Sequence, residues 1–201
     1  MKKQLFISLT FMIFAVSLYG QRTVKIDKDQ SKINWTGKKP IREHHGYVKI
    51  SEGELKTKNN EVVGGSFVID MSSITNTDLE NDASNKKLVT HLKSSDFFDV
   101  PEYPTAKFVI TSVNRIDNGA RKERKATHRI EGNLTMKGVT KKIGFDASIN
   151  ILNDKLVANT PPFEIDRTKW GVNYQSGSIF SGLVDELIND DITLSVELVS
   201  D

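Results

Sequence analysis

The chain has 201 residues, 37% hydrophobic and 27% charged, with 28 basic and 26 acidic side chains and no cysteine. That balance excludes the net basic surface of a nucleic-acid binder, and the missing cysteines exclude a disulfide framework and thiolate metal sites. The length suits one domain with a substantial core.

Met1-Lys2-Lys3 is a short positive stretch, and Leu5 to Leu18 carries no charge. This is the length of a secretory signal core, short of the ~20 apolar residues of a membrane-spanning helix. Residues 1–20 therefore read as a signal peptide cleaved near Gly20. An uncleaved anchor helix is the alternative, and a lipid anchor would need a cysteine at the cleavage point. Residues 21–201 form the expected domain, with 26 basic and 26 acidic residues once the two signal lysines are set aside. The expected location is periplasmic or secreted, with no stable membrane insertion after cleavage.

Next comes Asp27-Lys28-Asp29-Gln30-Ser31, which begins like a calcium loop. It lacks the glycine at the sixth position (Lys32) and the glutamate at the twelfth (Lys38). Short strands are expected near Ile33–Trp35, Tyr47–Ile50, Gly53–Lys56 and Val62–Met71. A helix is expected from Ser84, as N-cap, to Lys93, with Leu88, Val89 and Leu92 on one stripe. It must end before Pro101. A further strand covers Ala106–Val113, and Gly119 to Lys125 reads as a basic, solvated hairpin tip.

The strongest signal is period-two alternation. Ile130, Gly132, Leu134 and Met136 share one face, and Ile143, Phe145, Ala147, Ile149 and Ile151 share another. The two runs join through Lys137 to Thr140 as a hairpin. A strand is expected over Leu156–Ile165, and Ile192, Leu194, Val196 and Leu198 alternate at the end. Gly171 to Gly182 reads as an aromatic-bearing loop, either a mobile rim over a cavity or a plain connection. A short helical turn is expected at Leu183–Ile188. About eight strands with one apolar face each form a sandwich or a closed barrel. The barrel is about the size that holds one small ligand.

Local signals for catalysis are sparse. Of the four histidines, the adjacent His44 and His45 point to opposite strand faces. No H-x-H or HExxH spacing involves them, His91 or His128. Nucleophile-elbow, P-loop and dinucleotide fingerprints are missing. The sequence therefore calls for no catalytic residue, metal or cofactor. Asn34-Trp35-Thr36 and Asn133-Leu134-Thr135 match the short glycosylation triplet.

Several segments together carry a resemblance. They are Gly46-Tyr47-Val48-Lys49-Ile50 to Gly53-Glu54-Leu55, Gly64-Gly65-Ser66-Phe67-Val68-Ile69-Asp70-Met71, and His91-Leu92-Lys93-Ser94-Ser95-Asp96-Phe97-Phe98 with Tyr103-Pro104-Thr105. Gly132-Asn133-Leu134-Thr135-Met136-Lys137-Gly138, Phe163-Glu164-Ile165-Asp166-Arg167-Thr168-Lys169-Trp170-Gly171 and Ile188-Asn189-Asp190-Asp191-Ile192 complete the set. In this order they resemble the YceI-like family of polyisoprenoid-binding secreted proteins, over essentially the whole of residues 21–201. The lipocalin G-x-W signature is not evident; Trp35-Thr36-Gly37 has the reverse order.

The resemblance implies an all-β, lipocalin-like, extended antiparallel barrel of eight strands with one or two short helices. It implies non-catalytic binding of a long-chain lipid such as a polyisoprenoid, an isoprenoid quinone precursor or a fatty amide. On that reading Phe67, Ile69, Phe108, Ile110, Ile130, Leu134, Met136, Ile143, Phe145, Ile149, Leu194 and Val196 are candidate lining residues. Phe97, Phe98 and Trp170 lie nearer the rim, with Arg167 or Tyr174 available to a polar head. The alternatives are an exported structural or stress-response barrel with a packed interior, and then an enzyme acting on a lipid. A homodimer stays open.

Overall fold

The computed structural model describes residues 20–117, 126–180 and 186–201. Residues 1–19 of the expected signal peptide and the basic stretch from Gly119 to Lys125 lie outside the described residues, as do positions 181–182 of the expected Gly171 to Gly182 loop and 183–185 of the expected last helical turn.

Ten strands form one antiparallel sheet: β1 (Arg22–Lys25), β2 (Lys32–Lys39), β3 (Arg42–Lys58), β4 (Glu61–Asp70), β5 (Thr105–Arg115), β6 (His128–Met136), β7 (Val139–Leu152), β8 (Lys155–Asn159), β9 (Phe163–Asp166) and β10 (Asp191–Val199). Pairing runs β3-β2-β10-β8-β7-β6-β5-β4 and closes through β3–β4, making an eight-stranded barrel. β1 continues the line of β2 along β3, and β9 that of β8 along β10. The barrel is thus the expected fold, and closure leaves few unpaired sheet edges.

Local chemistry explains the joints. Three hairpins turn on two residues with positive φ at both positions: Asn59–Asn60, Lys137–Gly138 and Asn153–Asp154. This is the mirror-image turn whose twist matches that of its strands, and asparagine, aspartate and glycine tolerate it. The expected strand Leu156–Ile165 is split at Thr160-Pro161-Pro162, because proline cannot donate to the ladder. The two expected strands at Tyr47–Ile50 and Gly53–Lys56 are one long strand, β3. A bulge between Ile50 and Glu52 switches the inward parity from Val48 and Ile50 to Leu55 and Thr57. β1 had no alternation long enough to register in the sequence.

Hairpin tips and chain crossings sort the barrel into two ends. The turns at 59–60 and 153–154 lie at one end, with Ile26, Leu55, Val62, Ala147, Leu156 and Leu198 buried nearby. At the other end lie the β2–β3 tip, the β6–β7 turn and the two long connections. The first connection, 71–104, contains a 3₁₀ turn (Met71–Ser73) and the helix α1 (Asp82–Lys93). The helix starts slightly earlier than the sequence predicts. Asn81 is its N-cap, its side chain accepting from the Ser84 amide at 3.0 Å, so Ser84 lies inside the first turn.

Candidate functional site

Toward the end that carries the two long connections, the upper end, the inward faces of the strands enclose a cavity of about 590 Å³. Its floor is a row of phenylalanines: Phe67 to Phe108 at 5.4 Å between ring centroids, Phe108 to Phe145 at 5.5 Å, and Phe145 stacked on Phe163 at 4.5 Å. Such offset contacts add to the burial of each ring. Gly132 makes the row possible, because a Cβ there would lie 2.3 Å from the Phe108 ring. Below the row, Leu55, Ile130, Ala147, Leu156 and Leu198 pack solidly. The barrel is therefore half filled and half hollow.

Above the floor the wall is apolar. Ile69 of β4, Leu134 and Met136 of β6, Ile143 of β7, and Leu194 and Val196 of β10 line it, as do Phe67, Phe108 and Phe145. These residues lie on the face predicted by alternation. The cavity also takes in Ile33, Val48, Met71, Phe163, Ile165 and Ile192. Ile33, Val48, Phe163 and Ile165 belong to strands whose alternation is short or interrupted, Met71 to the 3₁₀ turn after β4, and Ile192 to the alternating face of β10.

A second small core covers the open end. Ile74, Leu92, Phe97 and Val172 are buried there, with Trp35, Leu88, Phe98, Tyr174 and Ile188 packed against them. Ser84, Lys87, Leu88, His91 and Leu92 of α1 all reach the cavity, at the spacing of one helical face. His91 anchors the helix over the mouth. Its ring stands edge-on to Phe97 at 5.0 Å and to Tyr174 at 4.7 Å, and its Nε2 lies 3.1 Å from Asp96. The Lys137 ammonium donates to the Phe97 carbonyl at 2.7 Å, tying the β6–β7 turn to this cover. Phe97 and Phe98 thus lie at the covered end of the cavity.

Four candidates stand elsewhere. Ile110, Ile130 and Ile149 share the predicted inward parity but pack with the main core outside the cavity. Trp170 is fully buried and does not reach the cavity either. It belongs to the 3₁₀ turn Arg167–Trp170, capped by Asp166, whose side chain accepts from the Thr168 amide at 3.0 Å. That turn points the indole into the barrel wall, where its N–H donates to the Leu134 carbonyl at 3.1 Å.

Arg167 borders the cavity yet is largely engaged by its own chain. Its guanidinium donates to the carbonyls of Val172 (2.6 Å), Asn189 (3.1 Å) and Ile188 (3.1 Å), and lies 3.6 Å from Asp190. Burial pulls the Arg167 pKa down, against the opposing pull of Asp190 and Asp166. Asp190 is held below the ordinary carboxylate range. Burial would raise it, but hydrogen bonds from Ser176 and Ser178 and the charge of Arg167 outweigh that. This group pins the 167–190 connection, with three of the five guanidinium N–H groups spent on backbone carbonyls.

Near the β2–β3 tip, Asp78 accepts from the His45 amide at 2.7 Å, meets His44 Nδ1 at 2.7 Å, and accepts from Asn76. Burial pushes the Asp78 pKa up, and these hydrogen bonds more than reverse it, so the carboxyl sits low. His44 and His45 therefore share one carboxylate even though they lie on opposite faces. Among the described residues no group of three or more ligating side chains could hold a metal ion.

The YceI-like domain matches residues 24–200. The chain belongs to the YceI-like family. Curated relatives of this YceI-like chain include UPF0312 proteins of Pseudomonas putida strain F1, 34% identical over 106 residues, and of Pseudomonas savastanoi pv. phaseolicola, 42% identical over 60 residues. The first alignment covers 53% of this chain and 49% of the relative, and the second 30% and 28%. The chain thus spans about half the length, or less, of the curated relatives it matches. Among solved structures, Burkholderia cenocepacia BcnA superposes with a TM-score of 0.66 at 18% identity, covering 88% of this chain and 99% of that one. A polyisoprenoid binding domain from Saccharophagus degradans, implicated in plant cell wall breakdown, superposes at 0.58 and 12% identity, covering 88% and 97%. At these identities the likeness is one of fold: the YceI-like barrel. Among the described residues no helix is long and apolar enough to cross a membrane.

Proposed function

We propose that this chain is a non-catalytic carrier that holds the tail of a long-chain lipid, of isoprenoid or fatty-amide type, in the upper half of its barrel. One observation carries this reading: an apolar cavity of about 590 Å³, enclosed by strands and floored by phenylalanines. That volume lies within the range of small-molecule sites, roughly 300–1,000 Å³. Each methylene moved from water into such a space contributes about 0.8 kcal/mol before the costs of binding. The printed description of the Saccharophagus domain as polyisoprenoid binding supports the same ligand class.

The carrier would work outside the inner membrane, in the periplasm or as a secreted protein, after removal of residues 1–20. A lipid crossing water there needs a container that shields its tail, and a barrel supplies one without any bond being made. The packed lower half is what an exported structural or stress-response barrel would show throughout. The hollow upper half favours the carrier.

The test is to purify the protein from its native host, extract it with organic solvent, and analyse the extract by mass spectrometry. A long-chain lipid in near-stoichiometric amount is expected. No lipid, together with no uptake of a fluorescent apolar probe, would overturn the reading.

A further inference from the structure

The charge around the cavity is one-sided. Lys38, Lys39, Arg42, Lys87 and Arg167 line it, and among the described lining residues there is no aspartate or glutamate. Yet outside the first twenty residues the chain has as many acids as bases.

Arg167 is consumed by three backbone carbonyls and Asp190. The other four cations sit at the open end. Lys38 and Lys39 end β2, Arg42 begins β3 beyond the Pro40–Ile41 tip, and Lys87 stands on the cavity face of α1. Their own neighbours leave them poorly compensated. Lys38 lies 3.7 Å from Glu43 with both side chains about half exposed, a geometry of little energetic worth. The Lys39 ammonium donates to the neutral Gln175 amide oxygen at 3.2 Å. Arg42 and Lys87 have no ion-pair partner among the described residues.

A cleft lined by one sign of charge over an apolar wall focuses its field on a ligand of the opposite sign. Here the apolar wall lies below and the positive charge at the mouth. We infer that the bound lipid carries an anionic head, a phosphate or a carboxylate, held by Lys39, Arg42 and Lys87 while its tail runs down to the phenylalanine floor. The inference rests on the carrier reading and names the ligand's other end. An arginine beside lysines suits such a head, since its fork pairs with two oxygens at once. A neutral alcohol or amide head would leave the cations, and the exclusion of acids, without a role.

The test measures displacement of a fluorescent apolar probe from the full domain by two matched pairs, farnesyl phosphate against farnesol and oleate against oleamide. At low ionic strength at least one anion is expected to bind about tenfold more tightly than its neutral partner, the scale of one charge-assisted contact. The pair that shows the preference identifies the head as phosphate or carboxylate. The preference should shrink with added salt, because the cations are exposed. It should vanish in K39Q/R42Q/K87Q and survive in the charge-keeping K39R/R42K/K87R.

Equal affinity within both pairs would overturn the inference and leave the carrier intact. So would a preference that persists in K39Q/R42Q/K87Q. It would also fall if those substitutions changed only adsorption to phosphatidylglycerol vesicles, for the cations would then read a membrane surface. If neither the probe nor any of the four lipids binds, the carrier reading itself fails.

Discussion

The indole N–H of Trp170 donates to the backbone carbonyl of Leu134 at 3.1 Å, joining the connection after β9 to the cavity strand β6. Leu134 presents its side chain to the cavity, so Trp170 braces the wall from outside it. Replacing Trp170 by Phe keeps most of the packing and removes this one hydrogen bond, at an expected cost of about 0.5–1.5 kcal/mol. Trp170→Ala adds a void, and about 3–5 kcal/mol is expected. Urea denaturation of the two variants checks both values. Equal stability of Trp170→Phe and the parent would show that the hydrogen bond contributes nothing.

Gly132 sets the depth of the cavity. A methyl group there cannot coexist with the Phe108 ring where it stands, and it would also lie 2.6 Å from the Val109 carbonyl oxygen. Gly132→Ala is expected to push Phe108 up into the hollow half and to shorten the cavity. The cost is expected to reach or exceed about 3 kcal/mol, because the β5 backbone at Val109 must shift as well as the ring. Probe-uptake titrations should then show weaker binding of long tails, with short tails less affected.

Gly46 meets backbone alone, and more closely. A Cβ at this position would lie 2.0 Å from the Thr75 carbonyl oxygen, and that carbonyl also accepts from the Trp35 indole at 3.1 Å. The obstacle is backbone, which cannot swing aside as a side chain can. Gly46→Ala should therefore detach the 74–77 segment from β3 and loosen the cover over the mouth. Hydrogen exchange should rise at Thr75 and Thr77, whose amides bond to Tyr47 and His45, before it rises in β6 or β7. Unchanged protection there would refute this account.

Filling the cavity should block binding without unfolding the barrel. Met136→Trp and Leu194→Trp each add bulk beside empty space, so overpacking is relieved into the hollow. A loss of roughly tenfold or more in lipid affinity is expected, matching the burial of only two or so methylenes. Retained melting temperature with lost probe uptake would support the cavity as the site. Undiminished uptake would place the lipid elsewhere.

Acid should weaken the fold. Asp78 and Asp190 both titrate below their ordinary value of 3.8 in the folded chain, and Glu61 below 4.5. For Glu61 the first cause is its hydrogen bond from Arg115, helped by the nearby His128 and opposed by burial. A depressed folded pKa means that the unfolded chain takes up protons first as pH falls. The stabilisation is complete above the ordinary carboxylate range and is lost as pH drops through the lower folded values. Denaturation midpoints should be flat from pH 7 to about 5 and fall below about 4. Asp78→Asn should flatten part of that slope. A midpoint that does not move on acidification would contradict the assignment.

Much of this molecule is written in residue order. Period-two alternation in β6, β7 and β10, and the turn residues at 59–60, 137–138 and 153–154, determine antiparallel hairpins with one apolar face, because side chains alternate across a strand. The resemblance of the ordered segments to a known family pointed to closure into a barrel. Alternation states which face a side chain takes and nothing about its height along the barrel axis. That is why Ile130 and Leu134, identical in parity, differ in role: one packs below the phenylalanine row and the other lines the cavity above it. Bulges and prolines blur the pattern further, hiding Val48, Phe163 and Ile165 from the predicted lining. Only long-range packing decides that Phe67, Phe108, Phe145 and Phe163 meet in a floor, that Trp170 turns into the wall, and that Arg167 is spent on backbone carbonyls. The gathering of Lys38, Lys39, Arg42 and Lys87 around one mouth is likewise tertiary, since residues far apart in the chain share an opening only when the barrel closes.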